Sequence, residues 1–449
     1  MDRILDPAWA WAEYQPDSET PWNLRTAAHL LRRAGFGATQ AELTALAAKT
    51  HSAVVDELLT GPEPATFRAE MQSLSNAAIA TGNVKQLSAW WAYRMLNTPM
   101  QLLEKTTLFW HGHFATSAEK VTDGHLMLMQ NELLRSFALG DFSKLLLEIS
   151  RDPAMLMYLD SATNRKSHPN ENYAREIMEL FCLGEGHYTE NDIRELARCF
   201  TGWEIRREEY RFNRYQHDDG KKTIFDKTGE FGGEEGVQIV LEHKSAPEFI
   251  AAKLVRFFVM DEPEPTVDLI APLAKELRES GMKIQPVLRR ILTSNVFYSP
   301  YSIGRKVRSP VELAIGLLRS LEGSTNIFDL AEAMLTLGQG LFYPPSVKGW
   351  DGGRTWINSS TLLGRSNLVR TLISNNKTRF GKTTLKQYLA TQTGTTPRAI
   401  IDYLETILFA VPIPEAAKER IESLIKSRSD GSLNEGLHAM CTIPEFQLG

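Results

Sequence analysis

Apolar residues recur at three and four positions along most of this chain, and that period leaves helix packed on helix as the main way to bury them. "NLRTAAHLLRRAGFG" (23–37) stops at Gly35 and Gly37, residues suited to a helix C-terminus. "NVKQLSAWWAYRMLNTP" (83–99) lines up Leu87, Trp90, Trp91, Met95 and Leu96 and ends before Pro99, and "MQLLEKTTLFWHGHFATS" (100–117) follows at once. "SKLLLEISRDPAMLMYLDSA" (143–162) reads as a helix pair broken at Pro153. The same style predicts helices over 246–260, 266–280, 284–294, 309–321, 328–337, 360–374, 396–409, 413–426 and 432–441.

One window departs from this period. From Glu204 to Glu242 aromatic and polar residues alternate, with turn signals at Asp219-Gly220 and Gly232-Gly233. That suits a small β-hairpin or three-stranded insert. The expected fold is therefore mainly α, a multi-helix bundle-like architecture interrupted by one small β insert. Four segments result: an N-terminal arm (1–22), a helical half (23–203), the insert (204–242) and a second helical half (243–449). At 449 residues the chain exceeds what one growing core usually serves.

Composition excludes several classes. A net charge of −5 and a pI near 6.1 do not suit a nucleic-acid protein, and short basic runs such as Arg305-Lys306-Val307-Arg308 read as solvated helix ends. Three cysteines without a CxxC spacing support neither a disulfide framework nor a thiolate zinc site. Cys182 and Cys199 sit inside apolar periodicity and read as buried, inert thiols. No run approaches the ~18 apolar residues of a membrane span. The opening "MDRILDPAWAWAEYQPDSETPW" lacks a signal-peptide pattern, so the expected location is cytoplasmic, with export alongside a signal-bearing partner as the alternative.

The densest polar stretch is "PNENYAREIMELFCLGEGHYTENDIRELARCFTGW" (169–203). On an α-helix Asn172, Arg175, Glu176 and Glu179 share one arc, opposite Tyr173, Ala174, Ile177, Leu180 and Phe181. A second helix opens at Thr189, with Asp192 placed for a capping box. The plain reading is that both polar arcs face water. The sharper one is a cleft wall in which Glu176 and Glu179 act as acid and base or as ion ligands, with Arg175 fixing an anion or orienting a carboxylate.

Three further clusters bear on that choice. In "FWHGHF" (109–114), His111 and His113 are metal or proton-transfer candidates, although on an ideal helix they point about 200° apart. His217 and Asp218 in "QHDDGKK" (216–222) are typical turn residues as well as candidate binding groups. "VKGWDGGRTWINSSTLLGR" (347–365) offers Trp350, Arg354 and free helix N–H groups to a planar or anionic ligand.

At these residues the chain resembles the bacterial domain-of-unknown-function family 1800. The resemblance runs through "HLLRRAGFG", "FWHGHF", "NENYAREIMELFCLG", "YTENDIRELARCFTGW", "HDDGKK", "AAKLVRFF", "SPVEL", "LGQGLFYPPSVKGWDGG" and "PEFQL". The "VKGWDGGRTWI" version looks like the branch found in planctomycete-type bacteria. The resemblance supplies no settled activity. It implies a partner encoded alongside that resembles sulfatases, and exported relatives.

Together these readings anticipate a hydrolase or lyase with a carboxylate/histidine cleft, acting on a glycan or a phospho/sulfo ester. Glu176, Glu179, His111, His113 and Arg175 would carry catalysis, and Asn172, His217, Asp218, Trp350 and Arg354 would bind substrate. A divalent metal is the candidate cofactor, held by His111, His113 and Glu176. The alternative is a non-catalytic scaffold or partner whose Trp-rich loop forms an interface. No nucleic acid and no membrane span are expected.

Overall fold

A computed structural model of the chain describes residues 5–449; residues 1–4 of the expected arm lie outside the described part. The architecture is helix on helix, and its helices start where the side chains can cap them. Asn23 and Thr26 exchange backbone hydrogen bonds at the head of Leu24–Arg33, as Ser309 and Glu312 do for Pro310–Ser320. Asp152 caps Pro153–Tyr158 and also accepts Gln130 Nε2 at 2.7 Å, so the break expected at Pro153 is a cap shared by two packed elements.

One continuous apolar core runs through the molecule. Lys85–Asn97 lies against both Pro310–Ser320 and Ile327–Thr336, and Leu24–Arg33 lies against Pro397–Leu408. The stretches on either side of the β region therefore interleave. The arm joins them: Tyr14 N–H donates to Thr293 O at 2.8 Å and Trp11 Nε1 to Leu269 O at 2.7 Å. At the other end, Arg308 N–H donates to Gln447 O at 2.8 Å, and Val307 bridges Leu448. Residues 293–308 are thus gripped by both remote ends of the described chain.

Inside this core sits an ionic network. Glu104, fully buried on Gln101–His113, accepts Arg94 Nε at 2.5 Å, Arg135 Nε at 2.7 Å and Trp91 Nε1 at 3.0 Å. Two guanidiniums outweigh the burial penalty and hold its carboxyl down at about 2. Cys182, Cys199 and Cys441 are all buried and unpaired.

The β region is smaller than expected. Strands β1 (Trp203–Arg206) and β2 (Glu209–Phe212) form one antiparallel hairpin, and β3 (Lys222–Ile224) and β4 (Lys227–Gly229) a second. Asp219-Gly220 lies in the connection between hairpins rather than at a tip. Residues 233–241, expected in the insert, are a helix: Gly232 is its N-cap residue, and Val237, Val240 and Leu241 recur at helical spacing on the buried face. Gly233 lies against the Trp203 ring so closely that any side chain would collide with it. Outside the insert, Gly323–Ser324 pairs with Arg379–Phe380 as a two-residue bridge.

The basic run also departs from expectation. Lys306 and Arg308 are buried, at 7% and 5% exposure, because backbone carbonyls and Glu312 take their hydrogen bonds.

Candidate functional site

The polar stretch begins as an α-helix over Asn172–Glu176 and continues without a break as a π-helix over Ile177–Cys182. Leu183 N–H reaches back five residues to Met178 O at 3.0 Å, and Gly184 N–H takes the same carbonyl at 3.1 Å. Gly184 then turns the chain at φ +84°, where a side chain would be strained. The wide turn directs two carbonyls to side chains from other helices. His113 Nε2 donates to Phe181 O at 2.9 Å, and Lys253 Nζ to Leu180 O at 3.3 Å.

The expected arc divides into separate arrangements. Asn172 is exposed at the helix start, where its N–H donates to Asn170 Oδ1 at 3.0 Å. Arg175 turns away to Glu190, with both N···O distances 2.8 Å, and approaches Glu171 at 3.5 Å. It ties this helix to Glu190–Cys199 instead of holding Glu176 or Glu179. Glu179 accepts the Tyr188 hydroxyl at 2.8 Å. Glu176 is half-buried, and its carboxyl is pushed up by burial and by the Glu179 charge, against the opposing pull of Arg175. Beside it the Tyr158 hydroxyl is raised by burial and by the charges of Glu119 and Glu176. Tyr343 is raised as well, by burial first and then by the charge of Glu119. A band of carboxylates and tyrosines therefore runs from Tyr343 and Glu119 through Tyr158 to Glu176, Glu179 and Tyr188.

The two histidines are not part of that band. His111 is buried, accepts the Phe342 N–H on Nε2 at 3.1 Å, and is held down at about 3 by burial alone. His113 is equally buried, and its pKa is pushed well down by desolvation and then by Lys253. Its Nδ1 has no partner among the described residues. Both rings are neutral and face different neighbours, as two positions on one helix require. This corrects the expected metal set of His111, His113 and Glu176. Among the described residues no group of three or more His, Cys, Asp or Glu side chains is arranged to hold a metal ion.

The Trp-rich loop reaches the same end of the molecule by another route. Trp350 covers Gly112, 5.6 Å from the His111 ring centroid, and its indole N–H is buried with no partner among the described residues. Lys348 pairs with Asp351 at 2.9 Å and feels the charge of Glu185, just beyond the π-helix. Arg354 points away to Glu262 at 2.8 Å with its side chain 83% exposed. The loop packs on Gly112, and its Lys348 lies within electrostatic reach of Lys253 and Glu185.

His217 and Asp218 serve the fold. The buried His217 donates from Nδ1 to Thr201 O at 2.8 Å, and Asp218 takes Arg198 at 2.7 and 3.2 Å. Together they clip the connection between the hairpins to Glu190–Cys199. Arg198 is the largest influence holding the Asp218 carboxyl below its ordinary range.

Sequence reasoning missed Tyr158, Tyr188, Glu119 and Lys253. Lys253 is the one with a signal, a lone lysine within "AAKLVRFF". Half-buried with its ammonium over the Phe249 ring at 4.8 Å, it is pushed down to about 8 by desolvation and then by the charges of Arg256 and Lys348.

Among the described residues no helix is long and apolar enough to cross a membrane. No curated protein and no solved structure matches the chain. The model of a family described as a protein of unknown function, DUF1800, matches residues 29–448, and the chain belongs to that family.

Proposed function

We propose that this protein is a hydrolase or lyase acting on a glycan, with Glu176 as the proton donor and Glu179 as its base or nucleophile. One observation carries the reading. Glu176 and Glu179 lie close enough for the charge of one to raise the other's carboxyl, yet their surroundings differ. Glu176 has no hydrogen-bond partner among the described residues, whereas Glu179 is fixed by Tyr188. A carboxyl whose hold on its proton is strengthened, beside one kept in place, suits the division of labour that acid/base cleavage of a glycosidic bond needs.

The neighbourhood favours a neutral polyhydroxylated substrate over a phospho or sulfo ester. Glu119 and Glu179 give the band itself negative charge, which repels an anionic group. The half-buried rings of Tyr158 and Tyr188 offer the apolar faces and hydroxyls on which sugar rings pack. His113 supports the π-helix through the Phe181 carbonyl, while His111 packs against Phe342 and Trp350. The scaffold reading draws instead on the hairpin region, where Phe212 and Tyr215 are 46% and 87% exposed.

Release of reducing ends, or of unsaturated ends, from a panel of neutral and acidic polysaccharides tests the proposal. Glu176→Gln should abolish release with the melting temperature unchanged. Activity should also decline as pH rises through the raised range of Glu176, because the donor must carry its proton. Full turnover by Glu176→Gln would refute the assignment.

A further inference from the structure

A second polar assembly lies far from the carboxylate band in sequence, where Leu24–Arg33 meets Pro310–Ser320, Pro397–Leu408 and the 302–308 segment. A narrow, partly open cavity of about 20 Å³ is lined there by Arg32, Arg33, Lys306, Arg308 and Glu312. That is room for one water-sized particle. Arg33, Lys306 and Arg308 are each less than 10% exposed.

The hydrogen bonds of this cluster are only partly accounted for. Arg33 donates from Nε to Phe258 O at 3.2 Å and from Nη2 to Val259 O. Arg308 donates to Leu448 O at 2.9 Å and also to Leu408 O. Lys306 reaches Phe257 O at 2.6 Å. By contrast, Arg32 Nε and Nη1 and Arg33 Nη1 are buried with no partner among the described residues.

Charge points the same way. Lys105 and Lys306 share Glu312 at 2.5 and 3.4 Å, and Asp261 lies within reach of Lys306 and Arg33. Against those two carboxylates stand five cations: Arg32, Arg33, Lys105, Lys306 and Arg308. The charges nearest Arg32 are those of Arg33, Arg308 and Arg25, all of one sign. Unpaired buried guanidinium N–H groups beside a small void, in a region with excess positive charge, favour an acceptor that carries negative charge.

We propose that this cavity is a binding site for one small inorganic anion of chloride size, held by Arg32 and Arg33 with Lys306 and Arg308 around it. A phosphate or sulfate is too large for the space. The bound ion would fasten the first long helix of the chain to the helices of its second half.

The full chain is melted in chloride and, at the same ionic strength, in gluconate, which is too large to enter. Chloride should raise the midpoint saturably, by about 2 °C. Arg32→Gln should lose that response and, in gluconate, should melt above the wild type, because an uncompensated charge is gone. Arg25→Gln, which alters a neighbouring half-exposed arginine, should keep the response. In crystals of the wild-type protein soaked in bromide, anomalous density should appear between Arg32 and Arg33. Equal melting in the two salts, or a cavity free of bromide, would overturn the proposal. The guanidiniums would then be served by water or by the chain itself, whose Gly449 lines the same cavity.

Discussion

Replacing Glu104 by Gln keeps the shape of the side chain and removes one negative charge from the driest part of the core. The carboxyl is held at about 2, against an ordinary 4.5, by Arg135 and Arg94. At about 1.36 kcal/mol per unit, that depression corresponds to roughly 3 kcal/mol of stability at neutral pH. The sign follows from the direction. A lowered carboxylate contributes fully above its unfolded value and loses the contribution as pH falls through the folded one. Arg94 keeps Glu63 and Arg135 keeps Glu132, so neither guanidinium is stranded completely. Even so, breaking a buried pair from one side typically destabilises by about 3–5 kcal/mol. Urea unfolding at pH 7 should therefore place Glu104→Gln about 3 kcal/mol below the wild type. The gap should narrow as the buffer is taken from pH 5 towards pH 2. A deficit below about 1 kcal/mol, or a gap independent of pH, would refute the reasoning.

Asp152 should behave in the opposite sense: burial pushes its carboxyl up to about 7, so ionisation weakens the fold as pH rises through that value. Asp152→Asn keeps an oxygen for the cap and should stabilise by roughly 2–4 kcal/mol at pH 8, and by less at pH 5, in thermal melts at the two pH values. Gly349 has φ +78° and lies against the Gly112 carbonyl, so Gly349→Ala should destabilise by about 2 kcal/mol or more and shift the Trp350 fluorescence. Arg198→Gln unclips Asp218 and should speed hydrogen exchange in the hairpins while leaving exchange in Gln101–His113 unchanged. Uniform exchange across the molecule would show that the clip does not act locally.

How far the sequence could be read depended on the range of the interaction concerned. Helix limits followed from local caps and period: the expected 266–280 and 284–294 are Val267–Glu279 and Ile284–Leu292. The divergence of His111 and His113 followed from helix geometry alone. The helix over 233–241 was hidden because its glycines read as a turn, and what selects it is the packing of Gly233 on Trp203, thirty residues away. Arg175 looked like a partner for Glu179 because both share an arc; Glu190 won it through a chain reversal that no spacing announces. The π-turn has no local signature either, since its freed carbonyls are stabilised by His113 and Lys253 from two other helices. Lys306 and Arg308 read as solvated because charge normally is. Only the tertiary fold supplies the carbonyls, and the shared Glu312, that let them be buried.

The grip of residues 10–14 and 447–449 on the 293–308 segment also sets an order of events during synthesis. The early strand partner is available when Thr293 and Ser294 emerge from the ribosome. The late partner, Leu448, is translated on the order of 10 s afterwards at ordinary elongation rates. In that interval Lys306 already has the Phe257 carbonyl, whereas Arg308 still lacks its acceptors on Leu408 and Leu448. The nascent chain therefore carries an open basic notch that closes only when residues 447–449 dock, well after the early helices have collapsed.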